Sequence, residues 1–343
     1  MKRALILTDG YLDRSTAKTA HGLLRYSSRY HIVGVIDSKF AHGSTDEVVP
    51  RCNPLPIYPS VDETEAEILI VGVATIGGFL PDNFREHVKT AITKGMDVIS
   101  GLHHHLNDDE ELSELAREYG VTLTDLRKSP PLDKLHYFAN RRKDIHAKVI
   151  PVMGTDSSIG KRTVLLAVYE ELKKDIKVQW VATGQTGLLQ GADYGLPLDI
   201  TIPDYMVGEL EYQIWRAWED HRPDVILVEG QGSISHPAYV CGSRAVLAAS
   251  QPDGVILQHS PSRRYRHYRE DEIEWPMPTP REEMEMIKMF SGSPTIALGI
   301  NPEKMTDQEV AHWIERYEDE LGIPAADGLK EPAKLAEAIR RML

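Results

Sequence analysis

Short apolar runs alternate with stretches of helical period along the whole chain. In the first half the runs are ALILTD (4–9), HIVGVID (31–37), EILIVGV (67–73), DVISG (97–101) and VTLTDL (121–126). Between them, stretches such as TAKTAHGLLRYSS and PDNFREHVKTAITKG carry apolar residues at helical spacing. The alternation restarts with KVIPVMG (148–154), KVQWVATG (177–184), DVILVEG (224–230), DGVILQH (253–259) and TIALGI (295–300). Alternating strands and helices predict an α/β protein. Strands that are apolar almost throughout predict parallel sheets covered on both faces.

The pattern breaks once, at KSPPLDKLHYFANRRKDIHAKV (128–149), which holds a Pro-Pro pair and a basic run. Such a stretch reads as an inter-domain connection with one short helix. The expected organisation is a first domain over 1–140, a linker at 141–147 and a second domain over 148–343. The tail from 305 reads as two amphipathic, acidic helices. A chain of 343 residues is long enough for two domains.

Charge narrows the function classes. The net charge of −13 argues against sequence-independent binding of nucleic acid through its phosphates. An anion site must therefore be local. The two cysteines, Cys52 and Cys241, lie far apart and form no disulfide framework, as in a reducing compartment. The opening MKRALILTDG reads as a first strand rather than a signal peptide. No apolar stretch approaches the ~18 residues of a membrane span. The expectation is a cytoplasmic protein with no membrane partner, and a homo-oligomer on general frequency.

The candidate chemistry centres on GTDSSIGKRT, residues 154–163. It follows a strand and opens a helix, the setting of a phosphate-binding loop. Glycines let the backbone turn its N–H groups inward as an anion nest. The helix N-terminus and Lys161 add positive charge. The candidate anion-binding residues are Gly154, Thr155, Asp156, Ser157, Ser158, Gly160, Lys161, Arg162 and Thr163. The loop departs from G-x-x-x-x-G-K-[ST] in two ways. Five residues separate Gly154 from Gly160, and Arg162 stands where the Mg²⁺-binding hydroxyl belongs. Thr163, one residue on, points about 100° further round the helix. Phosphate binding is thus expected, and Mg-nucleotide hydrolysis less so. The loop resembles the GTDT-type loop of dethiobiotin synthetase and its relatives, where Thr directly follows GK.

Three further segments belong with it. DVILVEGQGSISHP (224–237) ends a strand in Glu229, at the carboxyl edge where open α/β sheets bind ligands. His236 is a candidate general base and Glu229 its orienter. Ser233, on the same loop, is a candidate substrate contact. VATGQTGLLQGADYGLPLD (181–199) carries Gln185 and reads as a pocket lining or a mobile lid. QHSPSRRYRHYRE (258–270) concentrates Arg263, Arg264, Arg266, His267 and Arg269 in an acidic chain. That cluster suits a nucleotide-like ligand, RNA, or the acidic tail. Arg263 or Arg162 is a candidate grip for a substrate carboxylate.

Other signals are set aside. His103, His104 and His105 cannot all face one metal from a regular element, so no metal site is expected. Asp37 ends the second strand as a ribose-binding acid would, but the first turn, DGYLDRSTAK, lacks GxGxxG. No GxSxG elbow is present.

The set GTDSSIGK-x-T, ATGQTG, EGQGSISHP, H-x-P-x-R (259–263) and SGLHHHL (100–106) resembles one family across nearly the whole chain. AKTAHGLLRY (17–26) and VGVATIGGFLP (71–81) fit its first domain. The family was long described only as a domain of unknown function and includes the D-glutamate N-acetyltransferases. The resemblance implies a Rossmann-like domain followed by a P-loop NTPase-like domain. It also implies acetyl transfer from acetyl-CoA to the amine of a D-amino acid. Coenzyme A carries phosphates but needs no hydrolytic metal, which suits the altered loop. Two rivals stand: an ATP- or GTP-dependent ligase or kinase using Mg²⁺, and a non-catalytic nucleotide- or CoA-binding protein.

Overall fold

The computed structural model describes residues 1–268 and 271–343, so Arg269 of the basic cluster lies outside the described residues. The chain divides into two compact units. The first comprises Met1–Pro130 together with Gln185–Gly191, and the second Pro131–Gly184 with Ala192–Leu343.

The first unit is a parallel sheet of six strands: β1 (Lys2–Leu7), β2 (Tyr30–Ile36), β3 (Ile57–Tyr58), β4 (Ile68–Val71), β5 (Asp97–Ser100) and β6 (Leu123–Asp125). Their order is β3-β2-β1-β4-β5-β6, the doubly wound arrangement of a Rossmann-like domain. The crossover helices are α1 (Lys18–Arg25), α2 (Thr45–Val48), α3 (Asp82–Thr93) and α4 (Glu110–Tyr119). Leu5, Ile6, Leu7, Leu69 and Ile70 are fully buried, so the central strands have helix on both faces, as their continuous apolar runs require. Gly120 ends α4 in the left-handed conformation.

The second unit holds a seven-stranded parallel sheet. Its strands are β7 (Lys148–Gly154), β8 (Val178–Ala182), β9 (Tyr194–Gly195), β10 (Val225–Glu229), β11 (Val255–His259), β14 (Thr295–Ile300) and β15 (Ala325–Asp327). Between β11 and β14 in the chain lies an antiparallel hairpin, β12 (Tyr265–Tyr268) with β13 (Asp271–Pro276). The sheet order is β15-β14-β11-β7-β10-β8-β9, which puts β7 at the centre. The helices are α5 (Lys161–Leu172), α6 (Gln185–Gln190, grouped with the first unit), α7 (Pro203–His221), α8 (Val240–Ser250), α9 (Pro280–Ser291), α10 (Asp307–Leu321) and α11 (Pro332–Arg340).

Several expectations are corrected by these elements. The stretch expected as a linker, 141–147, lies inside the second unit. Arg141–Asp144 form a short 3-10 helix there. The buried carboxylate of Glu211 on α7 holds it, accepting from the backbone N–H groups of Ala139 and Arg141 at 2.8 Å each. The segment 181–199, expected as a lid or lining loop, contains α6 and β9. The tail has its two helices, with β15 between them. The basic stretch from 258 becomes β11, a turn and the hairpin.

Candidate functional site

Strand β7 delivers the chain to the loop at the centre of the sheet's carboxyl edge. Gly160 adopts φ +90°, a conformation that glycine takes without strain, and it caps α5 with no side-chain partner. Ser158 is also left-handed, with φ +51°. By contrast α9 and α10 are closed by capping boxes, Thr279 with Glu282 and Thr306 with Glu309. Among the described residues, nothing accepts a hydrogen bond from the N–H groups of Asp156 through Gly160. The loop is therefore a nest of free donors at a helix N-terminus, the arrangement that binds phosphate.

Lys161 begins α5 and is buried. Its ammonium donates to the carbonyl oxygens of Asp156 at 2.6 Å and Gly232 at 2.8 Å. Burial, opposed in part by the nearby Asp156 carboxylate, lowers its pKa to about 8. An arriving anion would supply the countercharge that burial denies it.

The basic cluster turns inward to brace this loop. Arg263 donates from Nη1 to the Asp156 carboxylate at 3.0 Å and the Ser157 carbonyl at 2.9 Å. Its Nη2 reaches the Ser158 carbonyl at 2.9 Å and Glu303 at 3.1 Å, and its Nε also meets Glu303. All five N–H groups are thus engaged. Arg263 fixes the loop's shape and has no spare donor for a substrate carboxylate, contrary to its expected role. Arg266 is buried too, donating to the Thr155 carbonyl at 3.2 Å, Ser233 at 2.8 Å and Ser235 at 2.7 Å. The hairpin closes the same contact. His267 donates its N–H to Asp156 at 3.0 Å and accepts from the Ser157 hydroxyl at 2.9 Å. Below the loop, the Thr155 hydroxyl meets His259 Nδ1 at 2.9 Å, and burial drives the His259 pKa down to about 3. That imidazole is a neutral packing partner. Arg264 lies over the Tyr265 ring.

Glu229 ends β10, level with Val152 of β7. Gly230 follows because a Cβ there would lie 2.2 Å from the Val152 carbonyl oxygen. One Glu229 oxygen accepts from the Thr183 N–H at 3.0 Å. The other faces Arg162 Nη1 at 3.3 Å. Arg162 therefore pairs with the acid at the strand end, and Thr163 is half-buried in the first turn of α5.

His236 does not occupy the role expected of it. It is buried, and the Ala238 N–H donates to its Nδ1 at 3.1 Å. Its proton therefore sits on Nε2, which faces the His267 carbonyl at 3.2 Å and Asp156 Oδ1 at 3.5 Å. Burial lowers its pKa. Neither nitrogen offers a lone pair to a substrate, and Glu229 is engaged elsewhere, so the two do not form a base and orienter. Ser233 is fully buried, with its hydroxyl on Arg266 rather than open to a ligand. Gln185 belongs to the first unit, where its amide donates weakly to Thr19 at 3.4 Å and packs on Gly101.

Residues that sequence reasoning passed over complete the picture. Glu283 is buried on α9 and accepts from the Ile234 N–H at 2.7 Å and from Ser235, holding the 233–236 loop. Glu303 anchors Arg263. Their partners are distant in sequence, and no local pattern marks them. In the first unit Asp37 is fully buried and accepts from Thr8 at 2.9 Å and the N–H groups of Leu12 and Lys39 at 3.1 Å each. It is a structural acid rather than a ribose contact. Among the described residues no cluster of three or more His, Cys, Asp or Glu side chains is arranged to hold a metal. No helix among them is long and apolar enough to cross a membrane.

Comparison with known proteins agrees with this architecture. Residues 136–336 match a P-loop domain of unknown function, the C-terminal domain of the DUF1611 family. Residues 38–129 match the family's Rossmann-like N-terminal domain. A D-glutamate N-acetyltransferase from Tritonibacter scottomollicae is 31% identical over 281 residues, covering 80% of this chain and 81% of the relative. One from a Pseudoalteromonas species is 29% identical over 274 residues, covering 78% and 79%. The crystal structure of a DUF1611 family protein from Anabaena variabilis superposes with a TM-score of 0.90 at 27% identity, covering 99% of this chain and all of that one. With both domains matched and a relative above 30% identity over most of its length, this chain belongs to the DUF1611 family.

Proposed function

We propose that this chain is an N-acetyltransferase, moving an acetyl group from acetyl-CoA to the amine of a D-amino acid, with D-glutamate the leading candidate. Kinship over about four-fifths of the chain with two proteins named D-glutamate N-acetyltransferase carries the reading. The loop geometry supports the donor. Free N–H groups at 156–160 and the buried ammonium of Lys161 suit the phosphates of coenzyme A. Acetyl-CoA supplies the activated acyl group when bound. The residues of this chain hold and orient its phosphates: Lys161 by charge, the loop by its N–H groups, and Arg263 by keeping the loop in shape. A second anion contact is available from Arg162, which is partly exposed beside Glu229.

The rival reading, a Mg-nucleotide ligase or kinase, finds less support. The residue after the loop lysine is Arg162 rather than a hydroxyl, and Glu229 is already paired with it. The test is product analysis. The protein incubated with acetyl-CoA and D-glutamate should yield N-acetyl-D-glutamate by mass spectrometry. Phosphate release from ATP with Mg²⁺, and no acetylated product with any D- or L-amino acid, would favour the rival.

A further inference from the structure

In a metal-dependent phosphate loop, the hydroxyl after the lysine and an acid at the end of a neighbouring strand hold Mg²⁺ between them. Both positions exist here, and neither is left for a metal. The hydroxyl position is Arg162, and its Nη1 lies 3.3 Å from Oε1 of Glu229. Glu229 is 5% exposed, and its Oε2 is taken by the Thr183 N–H at 3.0 Å. Thr183 is itself locked, with its hydroxyl on the Glu229 carbonyl at 3.0 Å and on the Gln231 amide at 2.8 Å. A divalent cation would have to displace a guanidinium from a buried carboxylate and would gain no hydroxyl ligand in return. The donor set does not fit Mg²⁺.

We propose that Arg162 is a resident cation that sets the ligand specificity of this loop. It neutralises the acid at the metal position, so that the loop binds diphosphate esters with no requirement for a metal. Its planar guanidinium contacts Glu229 through Nη1 while the side chain stays about one-quarter exposed, so donors remain for a phosphate oxygen. The inference rests on the anion-binding reading of the loop but not on acetyl transfer.

The experiment is calorimetric binding of pyrophosphate, ADP and coenzyme A to the full chain, with excess Mg²⁺ or with EDTA. The wild-type protein should bind with affinities that differ by less than about threefold between the two conditions. Arg162→Thr restores the hydroxyl and frees Glu229. It should bind ADP at least tenfold more tightly with Mg²⁺ than without, a difference of about 1.4 kcal/mol. Arg162→Lys keeps the charge and should stay indifferent to the metal. Wild-type binding that needs Mg²⁺ overturns the proposal while leaving the anion loop standing. A folded Arg162→Thr that binds ADP equally in both conditions also overturns it. If the wild-type protein binds none of the three in either condition, the anion loop itself fails and the proposal falls with it. The wild-type arm needs no variant, so a poorly folding Arg162→Thr does not blunt the test.

Discussion

The guanidinium of Arg263 and the carboxylate of Asp156 are buried together, 3.0 Å apart, at the root of the phosphate loop. Breaking a buried pair from one side leaves a charge without compensation, at a cost of about 3–5 kcal/mol. Arg263→Ala should destabilise the second unit by that order in denaturant unfolding and weaken anion binding with it. Loss of binding at unchanged stability would mean that Arg263 touches the ligand directly.

Lys161 should make anion affinity depend on pH. Its pKa of about 8 in the free protein lies below the ordinary lysine value of 10.5, chiefly through burial. A bound anion favours the charged form. Below pH 8 the ammonium is already present, and affinity is flat. Above pH 8, binding must take up a proton, so affinity falls by up to about tenfold per pH unit. The sign for folding is the reverse of a paired lysine. Because the folded pKa is lowered, the unfolded chain binds more protons between about 8 and 10.5, and this group's contribution to stability rises across that window. Pyrophosphate titrations from pH 6.5 to 9.5 check the first effect. Lys161→Ala should weaken coenzyme A binding severely and remove the pH slope.

His236 should matter for structure more than for proton transfer. A general base contributes about 10²–10⁴-fold. With Nδ1 accepting from Ala238 and Nε2 directed at His267 and Asp156, His236→Asn should lower kcat by less than about tenfold while lowering the thermal midpoint. A loss of a thousandfold at unchanged stability would restore the histidine to the chemistry.

Gly230→Ala should destabilise by about 1–3 kcal/mol or more, since the new methyl meets a backbone carbonyl that cannot turn away. Chemical denaturation would measure it. An unchanged midpoint would mean that β7 and β10 are less tightly joined at Glu229 than their register indicates.

The long strands were legible because burial on both faces makes each one a continuous apolar run. ALILTD and DVILVEG correspond to β1 and β10, and KVIPVMG coincides with β7. Strands β3, β9 and β15, of two or three residues, showed no run of their own, whereas the equally short β6 lies within VTLTDL. The hairpin was hidden because its arginines read as a binding cluster for a ligand, RNA or the acidic tail rather than as paired strands. The phosphate loop was legible because strand, glycines, lysine and helix are contiguous. The duties of its neighbours were not. Arg263 meets Asp156 across 107 residues and Arg162 meets Glu229 across 67, and contacts at such range depend on the tertiary arrangement, which no local pattern states. His236 shows the same limit, since an imidazole suited to base catalysis and one tied to its own backbone have identical local sequence.

Acetyl transfer with the phosphate loop holding the donor is the proposal on which these expectations rest. Its most direct test is thiol release from acetyl-CoA, with D-glutamate and with L-glutamate, for the wild-type protein and Lys161→Ala. Free coenzyme A is expected with D-glutamate from the wild-type protein, and little from a folded Lys161→Ala. Release that is undiminished in Lys161→Ala, or no release with any D-amino acid, would contradict it.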